Sequence, residues 1–134
     1  MEYKKSYRGF ILWLLGYLLA AFAPILFPRM DADLTMRLIF NLTSIGLVLL
    51  IFIILRTESV YWINGVTFEQ ARDAGSARRR DFARAHLTRF GYFALGYALF
   101  SIFTQLRGLN VTIDIVVFCV GLVAVALSTL KIKL

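Results

Sequence analysis

Four long apolar runs dominate this sequence, and they constrain its fold more than any other feature. They lie at about residues 9–28, 38–55, 90–106 and 111–130, and the only charged residue within them is Asp114. About 20 apolar residues in a helix cross the hydrocarbon core of a bilayer. The chain is also 60% hydrophobic, against roughly 45–50% in soluble domains. The sequence therefore predicts an all-α membrane protein, a single domain of 134 residues with four transmembrane helices.

The first run has one competing interpretation, a cleaved secretory signal peptide. Lys4 and Lys5 precede it, and the small residues in Ala21-Phe22-Ala23 resemble a cleavage site. Pro24 would follow the cut, which disfavours cleavage, and the apolar run continues beyond it. We interpret the run as the first span.

The basic residues predict how the chain is threaded. The stretch 56–89 is the only long polar segment, and it carries seven arginines between the second and third spans. If both termini lie on the same side of the membrane as this stretch, 12 of the 15 Lys and Arg residues lie on that side. Arg29, Arg37 and Arg107 are left on the other side. Basic residues near span ends mark the cytoplasmic side. The sequence thus predicts two hairpins with both termini cytoplasmic, in a membrane of the bacterial inner-membrane type.

The net charge of +7 and the pI near 10 also bear on partners. Such a charge can indicate nucleic-acid binding, but here the basic residues flank apolar runs. Juxtamembrane basic residues are attracted to anionic lipid headgroups. We therefore expect the lipid bilayer as the partner, and not nucleic acid.

The stretch 56–89 contains its own helix signals. Thr67 with Gln70 forms a capping-box pattern, which predicts a short helix over 68–74 that ends at Gly75. A second helix is predicted from Ser76 through to Leu106, so that a short amphipathic cytoplasmic segment runs directly into the third span. The candidate headgroup contacts on this segment are Arg78, Arg79, Arg80 and Arg84.

Small residues and a short repeat bear on helix packing. Leu-Gly-Tyr occurs at 15–17 and again at 95–97, which either a duplication of the hairpin or chance can explain. Small residues four apart let membrane helices approach closely. Two such pairs, Gly16 with Ala20 and Ala94 with Ala98, are therefore expected to face other helices, either of the same chain or of a second copy. Four spans bury little surface in one chain, so we expect a homo-oligomer.

The candidate site is a group of polar residues at the outer ends of three spans. Its members are Asn41, Thr43 and Ser44 in the second span, Ser101, Thr104 and Gln105 in the third, and Thr112 and Asp114 in the fourth. An intramembrane carboxylate is a functional candidate by default, and these residues could line a vestibule, edged by Arg37 and Arg107, that admits a small polar or cationic solute. The alternative is that these groups cap helices and bond between spans. For Asp114 we favour a place in the first helical turn, within reach of interfacial water.

The sequence has no Ser-His-Asp set, phosphate loop, dinucleotide fingerprint or His/Cys metal spacing, and it has only one histidine to supply any of them. We expect no enzyme activity, cofactor or metal. His86 is interpreted as a packed interfacial residue, with pH sensing as the alternative. The favoured function is a non-catalytic accessory, regulatory or immunity-like protein whose arginines contact headgroups or a membrane-protein partner. The alternative is a small homo-oligomeric transporter or channel for a small polar or cationic solute, using the residues around Asp114.

Overall fold

The computed structural model describes residues 3–27, 29–63 and 65–134, and this part of the chain is helical without a strand. The all-helical fold predicted from the sequence is confirmed. The elements are α1 (Arg8–Phe22), a 3-10 turn (Ala23–Leu26), α2 (Ala32–Thr57), a second 3-10 turn (Val60–Trp62), α3 (Phe68–Leu106) and α4 (Val111–Thr129).

Three helical segments are long and apolar enough to cross a membrane: Arg8–Leu26, α2 and α4. The third predicted span is the second half of α3, and it continues without a break from the basic residues that follow a kink at Gly75. Large apolar side chains such as Leu19 and Leu99 lie exposed along these helices. Soluble proteins rarely expose large contiguous apolar surfaces, so the fold is that of a membrane protein.

The first span differs from its predicted bounds. We predicted it to run to Pro28, which lies outside the described residues. The α-helix ends at Phe22, and residues 23–26 continue as a 3-10 turn. Pro24 explains the change, because it has no N–H to donate to the carbonyl of Ala20. That carbonyl instead accepts from the N–H of Ala23.

The helix signals around Gly75 are confirmed. Thr67 and Gln70 form both bonds of the capping box, with distances of 2.9 and 3.2 Å. Gly75 has φ 80° and ψ 162°, a conformation that breaks the helix and that glycine adopts without a Cβ clash. The helix that follows runs to Leu106 and is about 46 Å long at 1.5 Å per residue.

The helices pack around a central pair. α2 and α3 make the largest contact, α4 packs against α3 and also touches α2, and α1 packs against α2. The arrangement is therefore a three-helix group with α1 attached to the outside of α2, and not a symmetric four-helix bundle. The small pair Gly16 and Ala20 on α1 is exposed, so the helix that it is predicted to face is not one of the described helices of the same chain.

Two helix pairs, α1 with α2 and α3 with α4, each pack an aromatic ring against a glycine. A Cβ added to Gly46 of α2 would lie 2.7 Å from the ring of Tyr17, and one added to Gly121 of α4 would lie 2.7 Å from the ring of Phe93. In the first pair Trp13 also donates to the carbonyl of Gly46 at 2.9 Å. The glycines thus bring α1 close to α2 and α3 close to α4.

We expect Gly46→Ala to destabilise the protein by roughly 1–3 kcal/mol, the usual cost of overpacking. The ring of Tyr17 cannot easily yield, because it stacks on Trp13 and its hydroxyl is bonded to Thr43. The matched control is Gly16→Ala, where the added methyl meets nothing within 4 Å. That change should be neutral or stabilise the helix by up to about 1 kcal/mol. Thermal unfolding in detergent compares the two, and equal shifts would contradict the close α1–α2 contact.

Candidate functional site

A buried polar network joins α2, α3 and α4 at one end of the helices. We call it the outer cluster, after its predicted side, and its members are Arg37, Asn41, Ser101, Thr104, Gln105 and Asp114. Arg37 lies at its centre: Nε donates to Oδ2 of Asp114 at 3.2 Å and Nη1 to Oε1 of Gln105 at 2.6 Å. Nη2 donates to the carbonyl of Leu109 at 2.6 Å and also lies 3.2 Å from Oδ2 of Asp114. One guanidinium thus ties together the ends of three helices.

Asp114 is completely buried, with 0% of its surface exposed. Its Oδ2 faces Arg37, and its Oδ1 accepts from the hydroxyl of Thr104 at 2.8 Å. The expectation that Asp114 reaches interfacial water is therefore wrong, because side chains from α2 and α3 cover it. Asn110 caps α4 instead, with Oδ1 accepting from the N–H of Thr112 at 2.8 Å. Asp114 does lie in the first turn of α4, where the helix dipole favours a negative charge.

The other predicted residues of the site divide into two groups. Asn41 belongs to the outer cluster, since its amide donates to Oγ of Ser101 at 3.0 Å. Thr43 instead faces α1, with its hydroxyl 3.0 Å from that of Tyr17. Ser44 is buried and donates to the carbonyl of Phe40 in its own helix.

Two further polar residues at this end lie outside the network. Thr112 and Arg107 are both exposed, and the guanidinium of Arg107 lies over the ring of Phe103 at 5.6 Å. Neither forms part of a common vestibule with Asp114.

An aromatic layer closes the outer cluster toward the middle of the helices. The ring of Phe118 lies 4.7 Å from that of Phe40, 5.1 Å from that of Tyr97 and 5.8 Å from that of Phe93. Tyr97 is buried, and among the described residues its hydroxyl has no hydrogen-bond partner. These packed rings lie between the network and the middle of the helices.

A second polar network, which we call the inner cluster, lies at the other end and comprises Tyr3, Glu58, Ser76, Arg79 and Arg80. Glu58 follows α2 in a left-handed conformation, with φ 58°. Its Oε2 accepts from Nη2 and Nε of Arg79 at 2.7 and 3.0 Å. Its Oε1 accepts from Ser76 at 2.6 Å and from Nε of Arg80 at 2.8 Å. This carboxylate joins the end of α2 to the basic half of α3.

Residue Tyr3 brings the N-terminal segment into the inner cluster. Its hydroxyl donates to the carbonyl of Glu58 at 2.7 Å, and the guanidinium of Arg79 lies 4.1 Å from the centre of its ring. Burial raises the pKa of Tyr3 to about 12, although the charge of Arg79 opposes the rise. Tyr3 is thus a neutral hydrogen-bond donor at physiological pH.

Hydrogen bonding fixes the ionisation of Glu58. Burial on its own raises the pKa of this carboxyl, but the bonds from Ser76, Arg79 and Arg80 outweigh burial and lower the pKa below the ordinary 4.5. The folded state therefore holds its proton less tightly than the unfolded chain. This contribution to stability is complete above the ordinary pKa and is lost as the pH falls through the lowered value.

The structure changes the set of candidate headgroup contacts. Arg79 is not available to lipid, since its side chain is only 9% exposed and is bonded to Glu58 and to the carbonyl of Ala71. Arg78 is exposed. Arg80 and Arg84 are 57% and 68% exposed, although Arg80 also reaches Glu58 and Arg84 lies 3.9 Å from Asp81. Three of the four predicted arginines therefore remain candidates.

His86 is buried in the basic half of α3, and its Nδ1 lies 2.9 Å from the carbonyl of Phe82. Burial lowers the pKa of His86, and the charge of Arg89 lowers it further against the opposing effect of that carbonyl. Arg89 itself donates to the carbonyl of Ser128, which ties α3 to the end of α4. These contacts agree with the interpretation of His86 as a packed residue.

The fold and its two clusters define a helical membrane protein that is fastened by buried charge pairs near both ends of its helices. In the described parts of the chain, His, Cys, Asp and Glu side chains nowhere form a group of three that could hold a metal ion. Compared with known protein families, curated proteins and solved structures, the chain has no match. The assignment of function therefore depends on the geometry alone.

Proposed function

We propose that this chain is a non-catalytic protein of the bacterial inner membrane that spans the bilayer four times. Its role is accessory, regulatory or immunity-like. In this proposal its arginine-rich segment lies in the cytoplasm and binds anionic headgroups or a membrane-protein partner. The observation that carries it is the exposure of Arg78, Arg80 and Arg84 on the helix that continues into the third span. Each basic residue near an anionic surface contributes about 1 kcal/mol of attraction.

Contacts at the inner end support the proposed threading. Tyr3, near the N-terminus, and Ile132 and Leu134, after α4, all pack against one apolar cluster that contains Val60 and Phe82. Both ends of the chain therefore lie beside the arginine-rich stretch, as two hairpins require. Arg37 and Asp114 lie at the opposite ends of the helices, where α3 meets α4.

The closed outer cluster supports an accessory role over transport. A transported solute needs a polar group that it can reach, whereas Asp114 is buried and fully engaged by Arg37 and Thr104. The packed rings of the aromatic layer lie between the cluster and the middle of the helices.

One observation favours transport by a small oligomer as the second candidate. The buried hydroxyl of Tyr97 lies on the face of α3 that carries Ser101 one turn later, and it has no partner among the described residues. It becomes a group that a solute can reach only if the aromatic layer opens. Ion and proton flux into liposomes that contain the purified protein tests this candidate, and the proposal above predicts no flux beyond empty liposomes.

The lipid preference of the purified protein tests the first proposal. Reconstituted with equal amounts of anionic and zwitterionic lipid, the protein should retain the anionic lipid, as measured by mass spectrometry. Arg78→Gln with Arg84→Gln should weaken this preference by roughly fivefold per charge, the equivalent of about 1 kcal/mol per basic residue. The matched control removes two charges from the outer side, Arg29→Gln with Arg107→Gln, and should have a smaller effect. A wild-type protein that retains both lipids equally would contradict the proposal.

A further inference from the structure

A cleft of about 520 Å³ opens at the inner end of the protein, between the loop after α2, the basic half of α3 and the chain that follows α4. We call it the inner cleft and define it by Ile63, Val66, Arg78, Phe82, His86 and Lys133, which line it together with Ile132 and neighbouring residues. A neighbouring hollow of about 530 Å³ shares Arg78, Phe82 and Lys133. The volume lies in the range of about 300–1,000 Å³ that is usual for small-molecule sites.

The lining of the inner cleft is amphipathic. One side is apolar, with Ile63, Val66 and Ile132, and among the described residues the charged side chains that line it are those of Arg78 and Lys133. Both cations are exposed, so they can contact a ligand without giving up a buried partner. The acidic residue Asp81 lines the neighbouring hollow and not the cleft itself.

His86 adds a further polar group to the wall of the cleft. Its Nδ1 must donate to the carbonyl of Phe82, because a carbonyl oxygen can only accept. Nε2 is then the ring nitrogen left for a ligand, and in the neutral ring it is a hydrogen-bond acceptor. Phe90, where the third span begins, follows only one helical turn later. The cleft is thus within one turn of the predicted membrane surface.

We propose that the inner cleft binds the headgroup of an anionic phospholipid from the cytoplasmic leaflet. Arg78 and Lys133 hold the phosphate, and the apolar wall of Ile63, Val66 and Ile132 contacts the glycerol and the first carbons of the acyl chains. Arg pairs with phosphate through two parallel bonds, and Lys acts as a point charge. This inference rests on the proposed cytoplasmic position of the arginine-rich segment. It assigns the contact with anionic lipid to one site instead of to the whole charged surface. The combination of two cations, an apolar wall and a membrane-adjacent opening fits a lipid better than a fully soluble anion.

The test uses the whole protein in a neutral detergent, titrated with short-chain phosphatidylglycerol. His86 is the only histidine, so its imidazole gives one NMR signal from the wall of the cleft. We expect this signal to shift with saturation on phosphatidylglycerol, and not on the same concentration of short-chain phosphatidylcholine or inorganic phosphate. An equal response to inorganic phosphate would overturn the lipid as the occupant and leave a free-anion site.

Two charge-matched double variants separate the inner cleft from general attraction to the basic surface. Arg78→Gln with Lys133→Gln removes two cations from the cleft, and Arg84→Gln with Lys131→Gln removes two exposed cations outside it. The first pair should weaken phosphatidylglycerol binding at the cleft, measured by the His86 signal, by about 25-fold, at roughly fivefold per basic residue. The second pair should weaken binding at the cleft by clearly less, because its cations do not line the cleft. Thermal unfolding checks that both variants are folded.

The outcomes separate the two proposals. Equal losses in the two double variants would overturn the cleft but leave intact the preference for anionic lipid. A wild-type protein that does not distinguish phosphatidylglycerol from phosphatidylcholine would overturn both.

Discussion

Replacing Asp114 by asparagine is expected to lower the free energy of unfolding by about 3 kcal/mol, at the lower end of the cost of breaking a buried ion pair. The amide can still accept from Thr104, but Arg37 would keep its positive charge in a buried site without a counter-charge. This cost is much larger than the loss of a favourable helix-dipole interaction, about 0.3–1 kcal/mol. Thermal or denaturant unfolding of the purified protein in detergent measures it.

Two controls make the Asp114 result specific. Asp81→Asn removes a carboxylate that is 76% exposed and should change stability by less than about 0.5 kcal/mol, as surface substitutions usually do. Arg37→Met combined with Asp114→Leu removes both charges, and it should recover most of the loss because no buried charge is left unpaired. If Asp114→Asn lowered the free energy of unfolding no more than Asp81→Asn, the outer cluster would not stabilise the packing of α2, α3 and α4.

The second large effect is expected at the inner end, where Glu58→Gln should destabilise the protein by about 2 kcal/mol. The change leaves the buried guanidinium of Arg79 without its counter-charge and weakens the bonds from Ser76 and Arg80. Glu69→Gln is the matched control, because Glu69 is an exposed residue in the first turn of α3. Its loss should cost only the helix-dipole interaction, up to about 1 kcal/mol.

Glu58→Gln should also change how the stability of the protein depends on pH. Since the pKa of Glu58 is lowered below the ordinary 4.5 in the folded protein, wild-type stability should fall as the pH drops below about 4.5 and through the lowered value. Glu58→Gln cannot take up this proton, so its melting temperature should decline less over the same range. Parallel declines in the two proteins would show that Glu58 is not ionised more readily in the fold than in the unfolded chain.

Much of the fold could be predicted from the sequence because its signals are local. Apolar runs indicate the membrane-spanning helices, and the bonds between Thr67 and Gln70 depend only on a spacing of three residues. Gly75 likewise breaks the helix by its own backbone freedom. The predicted end of the first span was less accurate. The α-helix α1 ends where Pro24 leaves a backbone carbonyl without an N–H donor, and not where the apolar run ends.

The two clusters could be predicted only in part, because their bonds join distant residues. Arg37 and Asp114 are 77 positions apart, and Glu58 and Arg79 are 21 apart. Sequence reasoning placed Arg37 at the rim of a vestibule, although its spacing of four from Asn41 puts both on one helical face.

The burial of Arg79 could have been predicted from the sequence. It precedes Phe82, Ala83 and His86 by three, four and seven residues, the period of one helical face, and all four are buried. This periodicity is hard to see when Arg78, Arg79 and Arg80 are treated as one basic cluster.

Cysteine labelling in intact bacterial cells tests the central claim, the threading that places the arginine-rich segment in the cytoplasm. With Cys119 changed to alanine, single cysteines replace Ala32 and Ala77, which are both exposed on the protein. A membrane-impermeant maleimide should label Ala32→Cys in intact cells and Ala77→Cys only after permeabilisation. Labelling of Ala77→Cys from outside would reverse the topology and contradict the proposed function with it.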